Sequence, residues 1–496
     1  MSVSDAPANR LLEKRRSGIL LHPTSLPGPG PVGRLGTEAR RFLDWMVSAG
    51  FSVWQILPVN PPQQGGSPYA CISAFAGDTR LIDPDLLVDA GWLPSGSERW
   101  PLGQALSEAR AALAADGGDD WRDYLQFCQD QADWLDDFAL FVVIKRLEGH
   151  RPWWQWPDAL RDRAGGRLEQ IRAEMSEALD AVRFGQFVFF RQWRALREYA
   201  NAQDVLLLGD MPIFVAHDSA DVWAHPEDFD LDAEGQPNTV TGVPPDYFSE
   251  TGQRWGNPQF RWDRMKEAGY SWWLRRIEWA LAGVDALRID HFRGFEAYWS
   301  IPASEPTAIA GRWEPGPGAD FFEALLERFG ELPLLAEDLG VITPEVTALR
   351  DRFGLPGMMI LQFAFDGGDD NPYLPQNHVQ CGVVYTGTHD NDTTVGWFEA
   401  LEPERRAHVL AVLGDPAEPM PWPLVRAALA SPAQVAIIPM QDALALDGRH
   451  RMNTPGTSDG NWAWRFDWSQ VPDGRAEELR QMNEEAGRVP AGAGVR

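Results

Sequence analysis

Arg288 and Asp290 stand two residues apart in the run Val284-Asp285-Ala286-Leu287-Arg288-Ile289-Asp290-His291-Phe292-Arg293-Gly294-Phe295. On a strand they point to one side while Leu287 and Ile289 point to the other. A guanidinium beside a carboxylate keeps that carboxylate ionised at neutral pH, and a fixed, ionised carboxylate at a strand end is what a nucleophile must be. A structural ion pair is the competing reading, because ion-pair networks also perturb pKa. Further along, Glu337 follows Leu334-Leu335-Ala336, apolar surroundings that favour its protonated form. Two carboxyls flanking a glycosidic bond, one attacking and one donating a proton, are the least that can cleave it. The spacing therefore predicts Asp290 as nucleophile and Glu337 as acid/base, with His389 and Asp390 placed to hold sugar hydroxyls.

These groups need strands to bring them together, and eight short apolar runs are present: 18–21, 52–57, 204–209, 284–290, 332–337, 358–365, 382–386 and 434–440. They are continuously apolar rather than alternating, which predicts burial on both faces and a parallel sheet. Most are separated by helical patterns, among them a helix from Thr37 to Ala49, one at 319–329 and one at 344–353 behind Thr343. Eight such repeats predict a (β/α)8 TIM barrel, with an open doubly wound sheet as the alternative. In a barrel the C-terminal strand ends share one mouth, and here they carry Asp210, Arg288 with Asp290, Glu337 with Asp338, Asp366, and Thr388-His389-Asp390.

The remaining segments are read as a disordered tail (1–16), an inserted and mostly helical subdomain (81–200) and a polar lid loop (216–262). The rest of the barrel occupies 17–80 and 201–470, and a C-terminal helix of about 473–486 lies within a closing segment, 471–496. The lid loop holds Asp246, Tyr247, Phe248 and Trp255, more aromatic than a solvated loop requires. A ring there could exclude water and stack on a sugar; the simpler role is to anchor the loop. Most of the 23 tryptophans are expected in the core.

A formal charge of −28 argues against nucleic acid and anionic membrane as partners. Three widely spaced cysteines, Cys71, Cys128 and Cys381, form neither a disulfide framework nor a zinc pattern and suit the cytoplasm. No apolar run is long enough for a membrane span or a signal peptide. Gly28-Pro29-Gly30-Pro31-Val32-Gly33 fits G-x-G-x-x-G in letters, yet its prolines forbid the phosphate turn. Asp228, Asp230 and Asp232 begin like a calcium loop that Ala233 and Thr239 then break. Neither a cofactor nor a metal is expected.

Longer motifs carry a resemblance that spans Gly18 to Arg465. They are Leu20-Leu21-His22-Pro23-Thr24-Ser25-Leu26-Pro27, Ser67-Pro68-Tyr69, Gly209-Asp210-Met211-Pro212-Ile213 and Pro244-Pro245-Asp246-Tyr247-Phe248. Gly252-Gln253-Arg254-Trp255-Gly256-Asn257-Pro258, Arg288-Ile289-Asp290-His291, Ala336-Glu337-Asp338-Leu339-Gly340, Thr388-His389-Asp390 and Asn453-Thr454-Pro455-Gly456-Thr457 complete the set. The chain resembles the amylomaltase-type 4-α-glucanotransferases of glycoside hydrolase family 77, in the α-amylase superfamily. The resemblance implies a retaining enzyme acting on α-1,4-glucans and maltooligosaccharides, with Asp290 as nucleophile, Glu337 as acid/base and Asp390 as third carboxylate. It implies substrate contacts from Ser67, Tyr69, Asp246, Trp255, Arg288, Asp366, His389 and Asn461. A plain α-glucan hydrolase would use the same acids, and a non-catalytic glucan-binding protein could share the barrel without needing them.

Overall fold

All eight apolar runs are strands in the computed structural model, which describes residues 10–245 and 249–489. In chain order the strands are β1 (Arg16–Leu20), β2 (Val53–Gln55), β3 (Leu206–Pro212), β4 (Thr239–Val243), β5 (Gln253–Pro258) and β6 (Ala286–Asp290). They continue as β7 (Ala297–Pro302), β8 (Arg312–Pro315), β9 (Leu334–Ala336), β10 (Gly357–Ile360), β11 (Gly382–Tyr385) and β12 (Val435–Pro439). Eight of them pair in parallel in the order β10-β11-β12-β1-β2-β3-β6-β9. The Ala336 N–H donates to the Pro356 carbonyl at 2.9 Å, joining the end strands. The sheet is thus a closed TIM barrel, and the open doubly wound alternative is excluded. The strands are buried along almost their whole length, as two-sided burial requires.

Helices surround this ring. Thr37–Ser48 buries Phe42, Leu43 and Met46 against it, and Gly36 rather than Thr37 is its N-cap. Residues 81–200 are mostly helical, and their longest helix, Ser176–Ala202, runs directly into β3. Two glutamines on this helix hold the backbone where the barrel segment passes into the insert. Gln186 bonds both the N–H and the C=O of Gly77 (2.7 and 2.9 Å), and Gln192 does the same for Asp83 (2.8 and 2.9 Å). Trp54, Trp223 and Trp273 are fully buried, so packing is the role of those rings.

Two expectations need correction. Residues 10–16 are not a disordered tail: Leu11 is fully buried and β1 begins at Arg16, while residues 1–9 lie outside the described set. Nor is 216–262 simply an irregular loop. It contains the helix Ala220–Ala224 and strands β4 and β5, which join β7 and β8 in an antiparallel sheet ordered β5-β4-β7-β8. Asn257 in β5 donates to the carbonyl of Val215, just beyond β3, which seats this sheet at the barrel's C-terminal side.

At the opposite, N-terminal end the chain closes with Arg475–Glu485 and a buried arginine. Arg488 is 0% exposed and donates to the carbonyls of Leu429, Arg16, Ser431, Ala433 and Gln434 at 2.6–3.2 Å. No helix among the described residues is long and apolar enough to cross a membrane.

Candidate active site

Parallel pairing fixes which strand-end side chains meet. Asp210 of β3 lies opposite Arg288 of β6, and Ile289 lies opposite Ala336 of β9, so Asp290 and Glu337 stand side by side. Backbone bonds continue past the strands, with Glu337 N–H donating to Ile289 C=O (3.0 Å) and then, one residue out of ladder register, Phe292 N–H to Glu337 C=O (3.1 Å). Side chains of one parity face one side, which aims Arg288 and Asp290 together as the spacing predicts.

Arg288 is almost completely buried and shared. One guanidinium nitrogen donates to both Asp210 oxygens (2.7 and 2.8 Å), and another lies 2.9 Å from Asp290. Asp210 also accepts from the Tyr69 hydroxyl at 2.6 Å. Glu337 takes no cation directly among the described residues; its two oxygens accept backbone N–H groups of His291 (2.6 Å) and Leu339 (3.0 Å). His291 can aim its N–H there because its backbone is left-handed, φ 52°.

One cation among three close carboxyls leaves negative charge over. Burial pushes Asp290 up to about 8, with Asp210, Glu337 and Asp390 adding to the rise against the pull of Arg288. Burial also raises Glu337, opposed by Arg288 and the two N–H donors. The expectation that Arg288 alone holds Asp290 ionised is therefore incomplete: Arg288 is divided with Asp210, and Asp290 and Glu337 titrate as a pair. The direct ion pair favours the charge on Asp290 and the proton on Glu337.

A second wall faces these acids. Tyr69 stacks on His389 with ring centres 5.3 Å apart and planes 16° apart, and Trp462 leans on both rings at 5.9 and 6.0 Å. Burial keeps His389 neutral by lowering its pKa. Asp390 is half-exposed and accepts from the Asn453 amide at 2.7 Å. Trp255, 39% exposed, meets the His291 ring edge-on at 4.8 Å and donates to Gln253 at 3.1 Å.

The structure thus brings together Asp290, Glu337, Arg288, Tyr69, His389 and Asp390, with Trp255 at their edge. Ser67 stands one step back, its hydroxyl accepting the Tyr69 N–H at 3.3 Å. Asn461 braces the following loop, holding Thr454 N–H (2.9 Å) and Thr457 C=O (2.9 Å) close to Asn453. Asp366 is not brought to the acids. After β10 the chain turns through a 3-10 segment, Leu361–Phe363, and Asp366 pairs with Arg405 at an exposed position. Asp246, with Tyr247 and Phe248, lies outside the described residues. Sequence reasoning passed over Asp210 as a ligand of Arg288 and Tyr69, though its place at a strand end was visible. Trp462 and Asn453 gave no comparable signal, since neither position is marked by a strand.

The family model of glycoside hydrolase family 77, described as 4-alpha-glucanotransferase, matches residues 21–470. The 4-alpha-glucanotransferase of Thermus thermophilus is 49% identical over 496 residues, covering 96% of this chain and 99% of that protein. The chloroplastic/amyloplastic 4-alpha-glucanotransferase of Arabidopsis thaliana is 44% identical over 96% of this chain and 86% of its own. A solved amylomaltase from Streptococcus agalactiae, in complex with acarbose, superposes with a TM-score of 0.92 at 36% identity, covering 96% of this chain and 100% of that one. The chain belongs to the 4-alpha-glucanotransferase family, glycoside hydrolase family 77.

Proposed function

We propose that the site cuts an α-1,4-glucan or maltooligosaccharide and passes the segment held on Asp290 to the 4-hydroxyl of another by double displacement. Asp290 attacks the anomeric carbon, the bond to the leaving oxygen breaks, and Glu337 gives that oxygen its proton. An acceptor hydroxyl then attacks the same carbon, returns its proton to Glu337, and Asp290 leaves. The observation that carries this is the register of β6 and β9, whose last pair, Ile289 with Ala336, makes Asp290 and Glu337 the next residues along two neighbouring strands. Neighbouring strands are about 4.8 Å apart, close to the roughly 5–5.5 Å carboxyl spacing of retaining enzymes and short of the roughly 6.5–9.5 Å that admits a water.

In this reading Arg288 fixes and charges the nucleophile, while Tyr69, His389 and Asp390 hold the ring whose carbon reacts. Trp255 sits where an acceptor would enter, and its exposed ring suits stacking on that sugar while shedding water. The unpaired state of Cys71, Cys128 and Cys381 suits a reducing compartment such as the cytoplasm.

The test is amylose incubated with enzyme and glucose, followed by iodine colour and by reducing ends. Transfer predicts loss of colour with little gain in reducing ends, both abolished in Asp290→Ala and Glu337→Gln. A matched rise in reducing ends makes the enzyme a hydrolase, and substantial activity in Asp290→Ala removes the nucleophile assignment.

A further inference from the structure

The Glu337 carboxyl is held by two N–H groups that arrive on different arms of the chain. One arm leaves β6 and comprises His291 and the 3-10 turn Phe292–Phe295. The other leaves β9 and turns back through Leu339 and Gly340, whose φ of 86° permits the reversal. Farther out the two arms are joined once more. Arg293, three residues past Asp290, donates to the carbonyl of Val341, four residues past Glu337.

Arg293 is a costly choice for such a link. It is only 6% exposed, and its guanidinium is met directly by a carbonyl and a ring, with the carboxylate of Glu296 acting on it without a close ion pair. Trp313 of β8 lies flat against it, 3.8 Å from guanidinium carbon to ring centre, and Trp299 backs Trp313 at 5.1 Å. Its Nε has no partner among the described residues. A packing role alone would be met more cheaply by an apolar side chain, since burying an unpaired charge is unfavourable.

We infer that Arg293, capped by Trp313, is a positioning residue for Glu337: it ties together the two arms whose N–H groups hold the acid/base carboxyl. The inference rests on the assignment of Glu337 as acid/base. Arg293 touches neither acid and acts only through the backbone it clamps. Freed of the clamp, the arms shift apart, the two N–H donors no longer converge, and the carboxyl loses the orientation needed to reach the leaving oxygen. Asp290 keeps its separate hold on Arg288, so attack on the anomeric carbon survives.

This separation of the two roles gives the experiment. Maltotriose needs its leaving oxygen protonated, whereas α-maltosyl fluoride releases fluoride without an acid. Arg293→Met is expected to lower maltotriose kcat at least about 10-fold, within the range a positioned acid supplies, with little change in KM. Single-turnover fluoride release from α-maltosyl fluoride is expected to stay within about 2-fold of wild type. Trp313→Leu, which leaves the arginine but exposes it, is expected to show the same contrast at smaller size. Arg293→Lys, which keeps a charge and a donor, is expected to recover part of the loss. Equal losses on the two donors, or a lowered melting point with unchanged maltotriose kcat, would overturn the inference. Glu337→Gln serves as the control for the assignment beneath it: if that variant turns over maltotriose normally, the acid/base reading fails, whatever Arg293 does.

Discussion

Arg288 at the barrel's mouth and Arg488 at its base are both buried arginines, and they are satisfied in opposite ways. Arg488 meets five neutral carbonyls, at the start of β1 and along the turn from the helix Trp422–Ala430 into β12. Each hydrogen bond there closes a gap that strand ends would otherwise leave, and no acid is involved. Arg288 meets Asp210 and Asp290 directly, with Glu337 close behind, so negative charge exceeds positive in a place that burial makes expensive. The base is arranged for stability. The mouth keeps an electrostatic conflict that a proton on one carboxyl relieves, and that labile proton is what acid/base chemistry uses.

Exchanging each arginine for methionine tests that contrast most strongly. Arg288→Met is expected to reduce maltotriose turnover by about 10²–10³-fold in the protein that remains folded, because the nucleophile loses its fixed cation. Arg488→Met is expected to leave kcat per folded molecule near wild type and to lower unfolding stability by about 3 kcal/mol or more, from several carbonyls left without donors. Chemical denaturation and active-site titration together separate the two outcomes. A large kcat loss in Arg488→Met at unchanged stability would break the division between the ends.

A second effect, of middle size, follows from the raised pKa of Asp290. Burial and neighbouring carboxyls raise Asp290 and Glu337 above the usual carboxylate range, so together they bind more protons in the native state than in the unfolded chain. The excess charge therefore destabilises the fold progressively as pH rises above that range, and not below it. Asp290→Asn removes this penalty. Its melting temperature relative to wild type is expected to climb from pH 4 to pH 8, by several degrees in all; a difference that is flat or falls with pH contradicts the excess-charge picture of the mouth.

The smallest expected effect concerns the mouth's exposed rim. Trp255→Ala is expected to change the melting temperature by less than about 2 °C, since a residue this exposed contributes little packing. The share of hydrolysis over transfer from maltotriose is expected to rise a few-fold. A loss of several degrees with the wild-type product ratio makes Trp255 an anchor, like the tryptophans of the core.

The barrel strands were readable because two-sided burial writes them as unbroken apolar runs with acids at their ends, and Asp290 and Glu337 came with them. The antiparallel sheet left no such trace. β5, Gln253–Pro258, is largely exposed and includes Trp255 and Gly256, and β4 pairs with β7 across more than fifty residues. Asp366 stands apart from the acids for a local reason: β10 stops at Ile360, earlier than its apolar sequence suggests, and the 3-10 turn carries the carboxyl outward. Asp210 was visible as a strand-end acid, but its bonds to Arg288 and Tyr69 exist only once β3 and β6 are paired.

The ring of strands also has a seam. Between β9 and β10 the pairing comes down to the Ala336–Pro356 bond, and the Asp338 carboxylate, itself held by Arg350, stands in for a backbone acceptor at Met358 N–H (2.8 Å). On its other side β9 is bound to β6 by backbone bonds that run on past both strand ends through Glu337 and Phe292. A fluctuation that loosens the barrel thus has an easier side on which to begin, and it parts Glu337 from β10 before it parts Glu337 from Asp290. The two acids thus sit on the better-bonded side of β9, and loosening at the seam leaves the neighbourhood of Glu337 and Asp290 joined.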